Sequence, residues 1–167
     1  MTDPLCAALG LDFALVAEVV ELLRQRGETV ATAESLTAGL LAAALTTVPG
    51  ASAVVRGGLV VYATDLKASL AGVPADLLAE HGAVHPDVAA ALATGARVAC
   101  GADWGVGLTG VAGPDPQDGV PPGTVYFGVA RSDGVTTHAL DVSGGRHAVR
   151  AAAVRLSIGG LHTALTT

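Results

Sequence analysis

Glu34, Ser35 and Thr37 interrupt a run of small apolar residues, "ATAESLTAGLL" at 31–41. A carboxylate and two hydroxyls in so apolar a stretch need a reason, and hydroxyl chemistry is one. The short β-branched "TVATA" (29–33) reads as a buried strand and "TAGLLAAALTTV" (37–48) as a helix. Ser35 is therefore expected at a helix N-terminus, where free backbone N–H groups favour negative charge. Two jobs are open to it there. As an N-cap, the commoner role for serine, it would accept from an N–H two or three residues on. As a nucleophile, it would form a tetrahedral adduct stabilised by those same N–H groups.

A nucleophilic serine needs a base. His81 precedes a glycine, His85 precedes a proline, His138 falls in a presumed strand, and His147 and His162 fall on the last helix. No His/Asp constellation is legible in that spacing. Lys67 is the better candidate, the single lysine beside eight arginines. Arginine stays protonated, whereas lysine can be tuned to lose its proton. Acting near neutral pH requires its pKa to fall from about 10.4 to roughly 7, a cost of around 4 kcal/mol. Burial and nearby positive fields can supply that. The surrounding "VVYATDLKASLAGV" is largely apolar, with Asp65 as an opposing feature. Tyr62 stands at the end of the preceding strand. It either donates to an oxyanion or relays a proton, or it is a half-buried strand aromatic.

The elements that must position these groups follow from periodicity. A helix is predicted over 12–26, with Asp12 as N-cap and Gly27 as stop. "AVVRGGLVVYA" (53–63) reads as one or two strands with a bulge or turn at Gly57-Gly58. Short helices follow at "DLKASLA" and "DLLAEHGA", and Pro86 opens a longer one to residue 100. Residues 104–110, 123–130 and 135–142 read as strands, and the chain closes as a helix weakened at Gly159-Gly160. Early alternation of strand and helix, then a run of strands, predicts a single α/β domain: a three-layer α/β/α sandwich with a mixed β-sheet. Residues 1–11 read as a short N-terminal extension. "GPDPQDGVPPG" (113–123) is too rich in breakers to be regular.

Composition narrows the function classes. The net charge is −6 with 3% aromatic residues, and no basic stripe is present, which argues against a nucleic-acid partner. No window reaches the roughly 18 apolar residues of a membrane span. The N-terminus lacks a basic secretory n-region. A soluble, cytoplasmic protein without a membrane partner is expected. Cys6 and Cys100 are expected as free thiols. No ligand spacing suggests a metal.

Four motifs in order, "ATAESLTAGLL", "GGLVVYATDLKASLAGV", "HGAVHPDVA" and "LTGVAGPDP…PPGTVYFGVA", closely resemble the CinA C-terminal domain family. The likeness spans about residues 13–165. The family's characterised members are nicotinamide mononucleotide amidohydrolases, often fused behind another domain. The resemblance implies serine-type hydrolysis of the nicotinamide carboxamide, giving nicotinate mononucleotide and ammonia, without a cofactor. It assigns catalysis to Ser35, Lys67 and Tyr62. It places the family's motif elements on Glu34, Thr37, Gly39, Thr109, Gly110 and Gly113, which are expected to bind substrate, and its arginine pair on Arg146 and Arg150, which open the last helix. These two arginines are expected to bind the phosphate, the alternative being an ordinary solvated helix face. The chain departs from the usual family pattern with Leu36 for cysteine, Ala38 for glycine, His85 for serine and Val120 for lysine. The expected partner is thus a small nucleotide. A homo-oligomer is compatible with the many small helix residues. The alternatives are a non-catalytic nucleotide-binding module and an amidase for a different small amide.

Overall fold

The computed structural model describes residues 2–167. Helix α1 spans Pro4–Leu9. The Asp3 carboxylate caps it by accepting from the Leu5 and Cys6 N–H groups. Cys6 and Leu9 are buried, so the expected N-terminal extension contributes to the core. Helix α2, Phe13–Arg26, begins at Asp12 and ends at left-handed Gly27, as its capping residues predict.

Strand β1, Val30–Glu34, is buried throughout. The helix after it departs from expectation. α3 covers Leu40–Thr46, because Ala38 and Gly39 hold φ angles of 47° and 96°. A right-handed helix cannot run through such left-handed values. Residues 35–39 therefore form a separate turn. Strand β2, Val55–Val60, is one strand, whose register slips where Val30 faces Val55 but Ala31 faces Gly57. The remaining elements are α4 (Thr64–Ser69), α5 (Ala75–His81), α6 (Pro86–Cys100), β3 (Trp104–Gly110), β4 (Thr124–Arg131), β5 (Gly134–Asp141) and α7 (Arg146–Thr166). α7 runs unbroken through Gly159-Gly160, where the missing side chain of Gly160 leaves room for the Phe127 ring.

The sheet order is β2-β1-β3-β4-β5. β1 is parallel to β2 and to β3, while β4 and β5 run antiparallel. Helices α1, α2, α3 and α7 cover one face, and α4, α5 and α6 the other. The predicted three-layer α/β/α arrangement with a mixed sheet is present. The glycine-dotted strands explain how α6 packs. A Cβ at Gly105 or Gly107 would run into the Ala93 backbone, and one at Gly128 would come within 2.9 Å of the Ala89 carbonyl. The helix backbone lies directly on the strand backbone.

This topology fixes where a site can form. The chain leaves β1 for β2 through α3 on one face, and leaves β2 for β3 through α4–α6 on the other. β1 is the point where the winding reverses, and the crevice beyond its carboxyl end is the usual ligand position in such sheets. Ser35 is the first residue past that end. Among the described residues, no helix is long and apolar enough to cross a membrane.

Candidate active site

Lys67 is the one fully buried residue of α4 and is 1% exposed. Side chains on a helix tilt toward its N-terminus, which carries this amine back over the end of β2. Lys67 Nζ donates to the Val61 carbonyl at 2.8 Å and to the Tyr62 carbonyl at 3.4 Å, and it lies 2.9 Å from Ser35 Oγ. A neutral amine has two N–H groups and one lone pair. The two carbonyls take the N–H groups and leave the lone pair for the serine hydroxyl. Among the described residues no carboxylate pairs with Lys67, and Asp65 is exposed to solvent. Burial without a counter-charge pulls its pKa down to about 8, because desolvation penalises the ammonium.

Ser35 is 8% exposed. It stands between that amine and a cleft of about 450 Å³ lined by Leu36, Tyr62, Thr64, Gly110, Gly113 and Arg146 among others. It is not the cap of α3. That role falls to Glu34, whose fully buried carboxylate accepts from the N–H groups of Gly39 (3.1 Å), Leu41 (3.0 Å) and Ala42 (2.9 Å) and from the Thr32 hydroxyl (3.2 Å). The anion sits where the helix dipole favours it. The N–H groups at the start of α3 are thereby spent and cannot serve an oxyanion.

The turn before α3 supplies other donors. Ser35 N–H donates to the Leu108 carbonyl, and Ala38 N–H closes the turn onto the Ser35 carbonyl at 3.0 Å. Among the described residues, the N–H groups of Leu36 and Thr37 donate to nothing within the protein. Leu36 lines the cleft, whereas Thr37 is fully buried and does not, so the Leu36 N–H, directly after the serine, is the one of the two that can meet an oxyanion.

The remaining candidates separate into two groups. Tyr62, Gly110, Gly113 and Arg146 line the cleft. The Tyr62 hydroxyl does not touch Lys67. It accepts from Arg146 Nη2 at 2.9 Å, while Arg146 Nη1 donates to the Gly113 carbonyl at 2.8 Å. Only the Tyr62 backbone carbonyl meets the lysine.

Glu34, Thr37, Gly39, Thr109 and Arg150 do not line the cleft. Thr37 Oγ1 is buried without a partner. Gly39 provides the left-handed turn. The Thr109 hydroxyl donates to the Ala83 carbonyl at 2.6 Å, tying β3 to the α5–α6 connection. Arg150 reaches the Leu36 carbonyl. Ala38 is exposed, so its methyl stays clear of the cleft and its consequence is backbone strain.

Thr64, Asp115, Pro116 and Gln117 also line the cleft, although their sequence context marks them only as a helix start and an irregular loop. That loop is held by Asp118, whose carboxylate accepts from Ala83 N–H at 3.3 Å. No histidine lines the cleft. The His81 and His85 rings stack 4.0 Å apart, and the His85 ring caps α6 by accepting from Asp87 N–H. Cys6 and Cys100 are free thiols.

Comparison with known proteins identifies the family. The family model of the CinA C-terminal domain matches residues 12–165. A CinA-like protein of Frankia casuarinae is 51% identical over 145 residues, covering 87% of this chain and 34% of that protein. One from Anaeromyxobacter dehalogenans is 51% identical over 150 residues, covering 88% of this chain and 36% of that protein. The chain thus spans about a third of the length of these curated relatives. Among solved structures, the competence/damage inducible protein CihA from Agrobacterium tumefaciens superposes with a TM-score of 0.88 at 35% identity, covering 93% of this chain and 95% of that one. A CinA superfamily protein from Klebsiella pneumoniae gives 0.88 at 34% identity, covering 92% and 97%. With a family model matching nearly its whole length and solved relatives sharing its fold, the chain belongs to the CinA C-terminal domain family.

Proposed function

We propose that the protein is a nicotinamide-nucleotide amidase with a serine nucleophile and a lysine base, active in pyridine nucleotide salvage. The observation that carries this reading is the 2.9 Å approach of a buried, unpaired Lys67 amine to Ser35 Oγ at the edge of the cleft. A buried ammonium serving only structure would be expected to have a carboxylate partner.

Neutral Lys67 takes the hydroxyl proton as Ser35 Oγ bonds to the carboxamide carbon. The developing oxyanion is held by the Leu36 N–H group. The C–N bond then breaks, Lys67 returns its proton to the departing ammonia, and an ester on Ser35 remains. Water, deprotonated by Lys67, attacks that ester, and the proton returns to Ser35 Oγ as nicotinate mononucleotide leaves.

Arg146 is the cation of the cleft lining and takes the phosphate. Two of its five N–H donors serve Tyr62 and Gly113, and the rest are free for oxygens. Tyr62 positions Arg146 and paves the cleft. Asp115, opposite in sign, faces a substrate that carries a pyridinium as well as a phosphate.

The test is ammonia release from nicotinamide mononucleotide, nicotinamide riboside and glutamine. The mononucleotide is expected to be the preferred substrate. Arg146→Ala should raise KM for the mononucleotide about 10–100-fold, the worth of one charge-assisted contact, and leave the riboside unaffected. Tight nucleotide binding without ammonia from any substrate would favour the binding-module alternative. Ammonia from glutamine alone would favour a different amide.

A further inference from the structure

We infer that Asp118 is a positioning residue that holds one wall of the cleft, residues 115–117, against the substrate, and so sets affinity rather than turnover. The inference rests on the amidase reading above and adds to it a residue that lies outside the cleft lining.

Asp115, Pro116 and Gln117 line the cleft, and Asp118 follows them without lining it. Arg146 fixes the start of the segment at the Gly113 carbonyl, and Gly123 N–H fixes its end on the Val111 carbonyl. Among the described residues, a single hydrogen bond ties residues 114–120 to any other part of the fold. In it the Asp118 carboxylate accepts from Ala83 N–H at 3.3 Å.

The place it reaches is built to receive it. Ala83 is 1% exposed, and its N–H has no other partner among the described residues. A buried N–H needs an acceptor, and the tip of the loop supplies one. The Ala83 carbonyl in turn is held by the Thr109 hydroxyl at 2.6 Å, so Ala83 is a fixed post between β3 and the α5–α6 connection. Gly82 makes the room. A Cβ there would stand 2.9 Å from Asp118 Oδ2 and 3.1 Å from Asp118 Cβ, so the carboxylate rests on bare backbone.

Turn chemistry alone accounts for the residue type at 118. Gln117 and Val120 exchange both backbone hydrogen bonds, and Asp118 and Gly119 hold φ angles of 50° and 76°. This is the two-residue hairpin that Asp-Gly and Asn-Gly favour. The turn does not account for a side chain that leaves it to serve a buried N–H 35 residues away. In so tight a hairpin, fixing residue 118 also fixes Gln117, whose backbone is paired across the turn, and with it the wall.

The catalytic groups lie elsewhere. Ser35 and Leu36 follow β1, and Lys67 stands on α4. Loosening the wall therefore lowers the fraction of molecules ready to bind, without altering the chemistry of those that have bound.

The experiment compares wild type with Asp118→Gly and Asp118→Asn on nicotinamide mononucleotide and nicotinamide riboside. Glycine and asparagine both accept positive φ, so the turn survives in each. Only asparagine keeps an oxygen for Ala83. Asp118→Gly is expected to raise KM about 10-fold with kcat near wild type. The rise should be equal for the two substrates, which share the pyridinium that Asp115 faces. Asp118→Asn should recover most of the affinity. Amide exchange at Ala83 should follow the same order, faster in Asp118→Gly than in the other two.

An unchanged KM in Asp118→Gly, a loss of kcat in place of affinity, or equal Ala83 exchange in all three proteins would overturn the proposal. So would a KM rise of equal size in both variants, which would make the charge, and not the bond to Ala83, the quantity that matters. Should wild type release no ammonia from either substrate, calorimetry with the mononucleotide decides. Dissociation constants in the order given for KM would uphold Asp118 and reject the amidase reading. Equal constants, or no binding, would overturn both.

Discussion

Lys67→Met should destroy activity and make the protein more stable at neutral pH. The two effects have one cause. Lys67 titrates near 8 in the folded chain and near 10.5 when unfolded. Between those values the unfolded chain binds more protons, so stability rises with pH through that window. Below about pH 8 both states are protonated and the penalty of burying the ammonium is fully present, about 3 kcal/mol. Above 10.5 it has vanished.

Methionine removes the charge and keeps most of the volume, but it leaves the Val61 carbonyl and the Ser35 hydroxyl without their partner. The net gain at pH 7 is expected to be about 1–3 kcal/mol. The gain should shrink as pH rises from 8 to 10.5. Urea unfolding of the two proteins at several pH values measures this, and a variant less stable than wild type at every pH would contradict it. Turnover should fall about 10²–10⁴-fold through loss of the general base. Ser35→Ala should remove at least as much activity while the melting temperature changes little, because Ser35 is not the cap of α3. Activity lost only together with the fold would return Ser35 to a structural role.

Glu34→Ala should have the opposite signature, a large loss of stability. The carboxylate is fully buried and serves three backbone N–H groups at once. Its removal strands those donors at the start of α3, at about 1–3 kcal/mol each before relaxation. A total near 4 kcal/mol is expected after partial rescue by water. Glu34→Gln keeps one acceptor oxygen but turns an amide N–H₂ toward backbone donors, so about half that loss is expected. Chemical denaturation reads both. Because the same carboxylate fixes the far end of the Ser35 turn, the folded fraction of Glu34→Gln should lose kcat and keep KM. A rise in KM with normal stability would mean that Glu34 contacts substrate.

Much of this was legible in the sequence, for identifiable reasons. A lone lysine in apolar surroundings, among arginines, marked Lys67, and the apolar context predicted its burial. Strand and helix periodicities gave the layers, and Asp12 and Gly27 gave the ends of α2.

What was not legible depends on distances across the chain. The small residues Thr37, Ala38 and Gly39 run straight into the helix-favouring "LLAAAL", and it is the left-handed backbone at Ala38 and Gly39 that sets the start of α3 at Leu40. Glu34 caps N–H groups five, seven and eight residues ahead, beyond the three-residue spacing of a local capping box. The family resemblance instead places it with the substrate-binding residues. Arg146 and Arg150 look alike on a helical face, and only the position of residue 36 against α7 separates their tasks. Asp118 anchors the irregular loop through Ala83, 35 residues away, a contact that no local pattern encodes.

The central claim is that Lys67 is uncharged beside Ser35 when the reaction starts. The chain has one lysine, so labelling lysine with ¹³C at Cε and ¹⁵N at Nζ gives a single side-chain signal without mutation. Its titration by NMR should show a midpoint near pH 8, matched by the pH at which kcat/KM for ammonia release rises. A midpoint at or above 10 would contradict the account.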